Sequence, residues 1–188
     1  MKNNVIVKEA MKCDPVVVSP MISVLEAAQL MRKHKINTVI VMENKQPIGI
    51  LTGSDILQKV VAENKKPGDV LVDDVMSTPV IVIDPYVPLE DAMKTMGKCN
   101  VSKLPVIENN ELVGVITQMD ISRISPILHE ISREWQDISE RDEVHLKSQV
   151  FSGKCEDCNI LSTSLKVVNG QLLCEECIDA LKYDENAS

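Results

Sequence analysis

The sequence predicts an α/β fold: two copies of one β-α-β-β-α unit, followed by a small domain organised around a metal ion. Residues 12–57 align with residues 76–122, and two Cys-x-x-Cys pairs lie close together near the C-terminal end. Hydrophobic residues make up 44% and charged residues 26% of the chain, as in globular domains. The boundaries we infer are 1–65 and 66–126 for the copies, 127–150 for a connecting helix and 151–188 for the metal domain.

The first copy carries local signals for each of its elements. Residues 16–18 form a short aliphatic strand, and Ser23 with Glu26 makes a capping-box pattern at the start of a helix. Residues 39–42 and 48–51 are apolar runs separated by polar turn residues, which predicts a β-hairpin. A second helix is predicted to follow this hairpin.

The second copy repeats these signals in the same order. Pro79 precedes an aliphatic run as Pro15 does, and residues 89–92 align with residues 25–28. The offset is 64 residues in this part and 65 in the last part, so we infer one inserted residue. Residues 63–69, which contain Pro and Gly, are predicted to connect the copies.

Both copies end in the pattern Gly-h-h-Thr-x-x-Asp-h, where h is aliphatic, at residues 49–56 and 114–121. Together with the β-α-β-β-α order, this pattern resembles a tandem pair of CBS domains, the family named after cystathionine β-synthase. The resemblance covers residues 8–125. It implies regulation by an adenosine-type ligand of the AMP, ADP, ATP or S-adenosylmethionine class.

The Thr-x-x-Asp segment places polar side chains where a strand meets a helix N-terminus, whose free N–H groups favour anions. Its aspartate can accept hydrogen bonds from two vicinal ribose hydroxyls. Threonine or aspartate at a helix start also serves as a simple N-cap, so a purely structural role stays open. The resemblance implies that adenine lies between the first strand and the segment before the second. The implied residues are Val16, Asn37, Thr38 and Ile50 for one site and Val80, Ser102, Lys103 and Val115 for the other, with Thr52, Asp55, Thr117 and Asp120 at the helix starts.

Residues 127–150 are predicted to form an amphipathic helix. Ile131, Trp135 and Ile138 recur at helical spacing, with charged residues between them. The polar face is acidic, whereas a helix on a membrane surface needs a basic one. We therefore expect this helix to pack on the repeats or on a second subunit.

Four cysteines near the C-terminus have the spacing of a tetrahedral tetrathiolate site: Cys155, Cys158, Cys174 and Cys177. Between the pairs, Asn169-Gly170 predicts a two-residue hairpin turn. This arrangement resembles zinc-ribbon, treble-clef and rubredoxin-like modules, although Asn159 and Ile178 stand where rubredoxins have glycine. Zinc and iron both suit four thiolates, so the metal stays open. So small a core needs metal binding to fold.

Charge and composition narrow the classes of function. The net charge is −8 and aromatic residues are 2% of the chain, which disfavours duplex and single-strand nucleic-acid binding. With no signal peptide or apolar membrane span, we expect a cytoplasmic protein. We find no catalytic constellation and expect no enzyme. A homodimer is expected, and a further protein partner is possible.

Three functions follow from these patterns. The first is a regulatory sensor that binds an adenosine compound and contacts a partner through its metal domain. The second is a rubredoxin-like iron electron carrier gated by nucleotide. The third is a zinc-ribbon transcriptional regulator, against which the acidic tail argues.

Overall fold

A computed structural model of the protein describes residues 5–124 and 149–185. Helices and strands are mixed in the order the sequence predicts, which confirms the α/β (α+β) class. Of the predicted connecting helix, only residues 149 and 150 are described, and they lie in no regular element. The rest of that prediction falls outside the described residues.

The first repeat combines a three-stranded sheet, in the order β1-β2-β3, with helices on its flanks. A short N-terminal helix, α1, precedes it. Ser23 and Glu26 form the predicted capping box, since Glu26 N donates to Ser23 Oγ at 3.2 Å and Ser23 N donates to Glu26 Oε2 at 2.9 Å. The elements are α1 Val7–Ala10, β1 Val17–Val18, α2 Val24–His34, β2 Thr38–Glu43, β3 Gln46–Thr52 and α3 Gly53–Ile56, which a π-helical turn continues over Leu57–Val61.

The second repeat has the same sequence of elements, and Pro88 is the residue that precedes its helix α4, without a side-chain cap. Its hairpin β5-β6 encloses a turn in which Asn109 and Asn110 both have positive φ, as the polar turn predicts. The elements are β4 Val80–Ile81, α4 Leu89–Lys98, β5 Lys103–Glu108, β6 Glu111–Thr117 and α5 Gln118–Ile124.

Structurally equivalent positions of the repeats differ by 65 in residue number throughout. Lys12 exchanges backbone hydrogen bonds with Val115, and Ser77 exchanges the same pair with Ile50. The buried residues Val24, Ala27 and Met31 of α2 correspond to Leu89, Ala92 and Met96 of α4. The predicted offset of 64 in the first half is therefore wrong, and no residue is inserted within the unit. The Pro15–Pro79 match misled the alignment, because the buried faces decide the register.

The segment that leads into each repeat crosses to the other repeat. Val7 of α1 is fully buried in the core of the second repeat, with Leu104 and Ile116. Further along, Lys12 N donates to Val115 O at 2.9 Å, and Ser77 N donates to Ile50 O at 2.9 Å. The segment before the first repeat therefore completes the second repeat, and the segment before the second repeat completes the first. The two repeats form one interlocked unit.

Gly114 is a position where this crossing leaves no room for a side chain. A Cβ there would lie 2.8 Å from the Lys12 carbonyl oxygen and 2.8 Å from Met11 Sδ. We expect Gly114→Ala to lower the free energy of unfolding by about 1–3 kcal/mol, since the backbone of residue 12 must move. Urea unfolding measures this. Gly53→Ala is the control, because its nearest neighbour would be Asn37 O at 3.9 Å, and equal stabilities of the two variants would contradict the prediction.

The C-terminal region, residues 151–185, forms the four-cysteine domain. Its hairpin turns at Asn169 and Gly170, both with positive φ, so the predicted Asn-Gly turn is confirmed. Phe151, Leu165 and Leu173 fill a small core together with three of the cysteines. The elements are β7 Phe151–Lys154, β8 Leu161–Val168, β9 Gln171–Leu173 and α6 Glu175–Glu185.

Strand β4 of the second repeat joins the sheet of the four-cysteine domain, in the order β4-β7-β8-β9. Val80 pairs with Ser152 and Ile81 pairs with Phe151 in antiparallel register. The first repeat differs, because its β1 pairs with β2 and Ile40 N donates to Val16 O at 3.1 Å. Its counterpart Pro105 has no N–H to donate. Strand β4 therefore makes fewer hydrogen bonds with the sheet of its own repeat than β1 does. Its other edge pairs with β7.

Candidate functional site

Two clefts lie between the repeats and are related by the same offset of 65 residues. Cleft A has a volume of about 660 Å³ and cleft B about 300 Å³. Cleft A is lined by Lys12, Cys13, Asp14, Pro15, Val16, Lys35, Ile36, Asn37, Thr38, Ile40, Lys103, Val115 and Thr117. Cleft B is lined by Ile50, Thr52, Ser54, Asp55, Ser77, Pro79, Val80, Ile81, Asn100, Val101, Ser102 and Lys103.

Each cleft takes its walls from both repeats. Val16, Asn37 and Thr38 line cleft A together with Val115 and Thr117 of the second repeat. The division of the predicted residues between the two sites is therefore wrong for two of them. Ile50 lies in cleft B and Val115 lies in cleft A. The crossing of residues 12 and 77 brings the last strand of one repeat to the first strand of the other.

The other predicted residues of cleft B come together as a set. Thr52 and Asp55 stand at the start of α3 and face Val80, Ser102 and Lys103 of the second repeat. Lys103 reaches both clefts, is half-buried, and has its pKa lowered by burial. Asp120 does not line cleft A itself, but it holds Lys12, which does.

At the start of α3, the side chain of Asp55 is buried, and both of its carboxylate oxygens accept hydrogen bonds. Asp55 N donates to Thr52 Oγ1 at 3.2 Å, and Thr52 N donates to Asp55 Oδ2 at 2.9 Å. The other oxygen, Oδ1, accepts from Ser77 Oγ at 3.0 Å and pairs with Lys59 Nζ at 2.9 Å. Burial opposes ionisation, but hydrogen bonds from Thr52, Lys59 and Ser77 outweigh it and lower the pKa of Asp55.

At the start of α5, the same cap is built from Thr117 and Asp120. Thr117 N donates to Asp120 Oδ2 at 3.2 Å, and Asp120 N donates to Thr117 Oγ1 at 3.2 Å. Oδ1 pairs with Lys12 Nζ at 3.0 Å. The side chain of Lys12 is 62% exposed, so solvent can replace it on the carboxylate. Sequence reasoning missed Lys12, which stands at the position of Ser77.

The four predicted cysteines meet in one cluster. The sulfur atoms of Cys155, Cys158, Cys174 and Cys177 all lie within 4.8 Å of one another, and Cys158 Sγ is 3.7 Å from Cys174 Sγ. Zinc–thiolate bonds of about 2.3 Å in a tetrahedron place the sulfurs about 3.8 Å apart, so the donor set fits such an ion. Within residues 5–124 and 149–185, no other group of three or more potential ligands is found.

Backbone N–H groups prepare Cys155 to act as a thiolate. Burial opposes its ionisation, but donation from the N–H groups of Cys158, Cys174 and Asp157 lowers the pKa of Cys155 to about 6. Asn159, at the position where rubredoxins have glycine, adopts a φ of 59°. Asparagine tolerates this left-handed conformation, so the knuckle turn forms without glycine.

Two further features concern the rest of the chain. Cys13 is exposed and Cys99 is half-buried, with its pKa raised by burial, and neither belongs to the cluster. None of the helices in the described part of the chain is long and apolar enough to cross a bilayer.

Comparison with known proteins identifies the repeats. The CBS domain family matches residues 7–62 and 72–126. An uncharacterized protein of Methanocaldococcus jannaschii is 35% identical over 186 residues, covering 95% of this chain and 95% of its own. An uncharacterized protein of Methanopyrus kandleri is 33% identical over 182 residues, covering 94% of this chain and 92% of its own. Both similarities extend through the four-cysteine domain.

Among solved structures, a similar one is a CBS domain pair in complex with 5′-methylthioadenosine and S-adenosyl-L-methionine. Its TM-score is 0.58 at 32% identity, and the match covers 64% of this chain and 94% of that chain. That structure is a CBS domain pair, the same unit that the family matches at residues 7–62 and 72–126 here.

Proposed function

Because the chain belongs to the CBS domain family, we propose that it is a regulatory protein that binds adenosine-type ligands in clefts A and B. The observation that carries this proposal is the composite architecture of the clefts. In each cleft, apolar residues and polar residues of one repeat face the helix start of the other. In cleft B this start presents Thr52 and Asp55, and in cleft A it presents Thr117, with Asp120 behind Lys12. The similar CBS pair with bound 5′-methylthioadenosine and S-adenosyl-L-methionine supports this ligand class.

The chemistry of cleft A suits a nucleoside. Val16, Ile40 and Val115 offer apolar walls for a base, while Asn37 and Thr38 offer polar groups to its edge. The hydroxyls of a ribose can replace Lys12 on Asp120 Oδ1. In cleft B the corresponding exchange displaces Ser77 and Lys59 from Asp55.

Replacing the carboxylate of cleft A tests this function. We expect Asp120→Asn to weaken binding of an adenosine compound in cleft A about tenfold or more, because a charged acceptor of two ribose hydroxyls is lost. Isothermal titration calorimetry with AMP, ATP, S-adenosylmethionine and 5′-methylthioadenosine measures the affinities. The control is Asp73→Asn, at an exposed aspartate that lines neither cleft. Absence of binding by all four compounds to the wild type would exclude the proposed function.

We propose that the four-cysteine cluster holds one zinc ion per chain in a structural role. The pairing of β7 with β4 and the burial of Cys155 and Cys174 support a metal that organises a docked domain. An iron site in a nucleotide-gated electron carrier is the alternative. Elemental analysis with a visible spectrum, before and after dithionite, distinguishes the two metals.

We also propose a cytoplasmic homodimer. Leu57, Val61 and Met119 are more than half exposed, and such apolar surface favours self-association. Light scattering of the purified protein gives the subunit number. A monomer at micromolar concentration would contradict this proposal.

A further inference from the structure

The two clefts occupy equivalent positions but differ in charge. This comparison rests on the proposed function, since it asks which adenosine compound each cleft takes. Lys12 of cleft A corresponds to Ser77 of cleft B, because the two residues make the same backbone hydrogen bonds to Val115 and Ile50. Each also holds Oδ1 of the aspartate at the helix start, Lys12 through a charge and Ser77 through a neutral hydroxyl.

A second exchange of the same kind lies at the end of the long helices. Lys35 follows α2 with a φ of 53°, and Asn100 stands at the equivalent position after α4 with a φ of 52°. The backbone is therefore the same, and the side chain alone differs. Lys35 is exposed and lines cleft A, whereas Asn100 lines cleft B.

The remaining charges do not cancel this difference. Lys103 lines both clefts, so its presence does not distinguish them. Cleft A adds the carboxylate of Asp14, where cleft B has Pro79. The aspartate at each helix start is paired with a lysine, Asp120 with Lys12 and Asp55 with Lys59. When a ribose takes Asp120, the ammonium of Lys12 is released into cleft A.

We propose that cleft A binds a phosphorylated adenosine compound and cleft B an adenosine compound without phosphate. Three ammonium groups line cleft A, whose volume of about 660 Å³ leaves space beside a nucleoside for phosphates. Lysine is a common phosphate ligand and acts as a point charge. In cleft B, at about 300 Å³, Lys103 and the carboxylate of Asp55 face the ligand together. A polyphosphate there would meet that carboxylate, which Lys59 already pairs, with Lys103 as the one lysine lining the cleft.

Exchanging the side chains at positions 35 and 100 tests which cleft takes the phosphorylated ligand. The experiment uses the full-length protein with its metal. Asparagine favours the left-handed conformation at position 35, so Lys35→Asn should fold normally. We expect Lys35→Asn to weaken ATP binding several-fold to tenfold and to leave 5′-methylthioadenosine binding unchanged. Asn100→Lys should strengthen ATP binding in cleft B by a similar factor. ATP affinity should also fall with added salt, while that of 5′-methylthioadenosine should not.

Two further variants locate each ligand, with calorimetry as the readout. Asp120→Asn should weaken ATP binding and spare 5′-methylthioadenosine, and Asp55→Asn should do the opposite. If both variants weaken both ligands alike, or Lys35→Asn leaves ATP unaffected, the division of labour is overturned while adenosine sensing stands. If neither ligand binds the wild type, the proposed function fails and this inference fails with it.

Discussion

Removing the proposed metal ion from the four-cysteine cluster is expected to unfold residues 151–185 while the two repeats stay folded. The core of this domain contains Cys155, Cys174 and Cys177 among six buried residues, so little apolar contact remains without the ion. In zinc-finger peptides, zinc binding supplies about 10–16 kcal/mol, and that free energy stabilises the fold because the unfolded chain has no preformed site. The repeats have their own buried aliphatic cores. Among the described residues, the four-cysteine domain places only Leu161 against these cores and shares Ile81 with them.

Chelation under reducing conditions, followed by amide hydrogen exchange, measures this effect. Protection should vanish in β7, β8 and β9 and persist in β2, β3, β5 and β6 after the metal is removed. Cys158→Ser should reproduce the loss, whereas Cys13→Ser, at an exposed cysteine outside the cluster, should retain metal and protection. Retained protection of β8 in metal-free protein would show that the domain folds without the ion.

The same loss of metal is expected to weaken ligand binding in cleft B and to leave cleft A unchanged. Val80 and Ile81, the two residues of β4, line cleft B. They also pair in the sheet with Ser152 and Phe151 of β7. When β7 unfolds, this strand loses its partner, and Pro105 cannot supply the missing donor from its own sheet. Couplings of this kind range from about 5-fold to 150-fold in affinity.

Cleft A serves as the internal reference for this effect. Its corresponding residues, Pro15 and Val16, precede β1, whose pairing with β2 does not involve the four-cysteine domain. Calorimetry of metal-containing and chelated protein with one ligand for each cleft gives both affinities. Linkage also requires that a ligand in cleft B raise the stability of the four-cysteine domain by the same free energy. Equal affinities of cleft B with and without metal would contradict the coupling.

Local patterns in the sequence were sufficient to predict those features of the structure that residues close together in the chain decide. The Ser23–Glu26 capping box, the Asn169–Gly170 turn and the four cysteines all form as predicted. The capping box, the turn and each Cys-x-x-Cys pair are encoded by residues within a few positions of one another, and the hairpin between the pairs brings Cys158 to Cys174, 16 positions away. The repeat itself was also evident, because the same Gly-h-h-Thr-x-x-Asp-h pattern ends both copies.

The candidate clefts were predicted only in part. The residue types and most positions were identified, but Ile50 and Val115 were assigned to the wrong partners, and Lys12 was missed. The cause is the crossing of residues 12 and 77 to the opposite repeat. An alignment of two copies in one chain does not show which copy each strand completes. A uniform offset of 65 would have placed Lys12 opposite Ser77.

The sequence by itself determined the two β-α-β-β-α units, their helix caps and the composition of the four-cysteine cluster. Tertiary structure alone decided which repeat each leading segment completes and where the four-cysteine domain docks. That docking depends on a strand edge of β4 that receives β7, and on backbone hydrogen bonds between residues about 70 positions apart, such as the one from Val82 N to Val150 O at 3.2 Å. Backbone groups at such an edge are alike in every residue except proline, so the packing of the whole chain selects their partner.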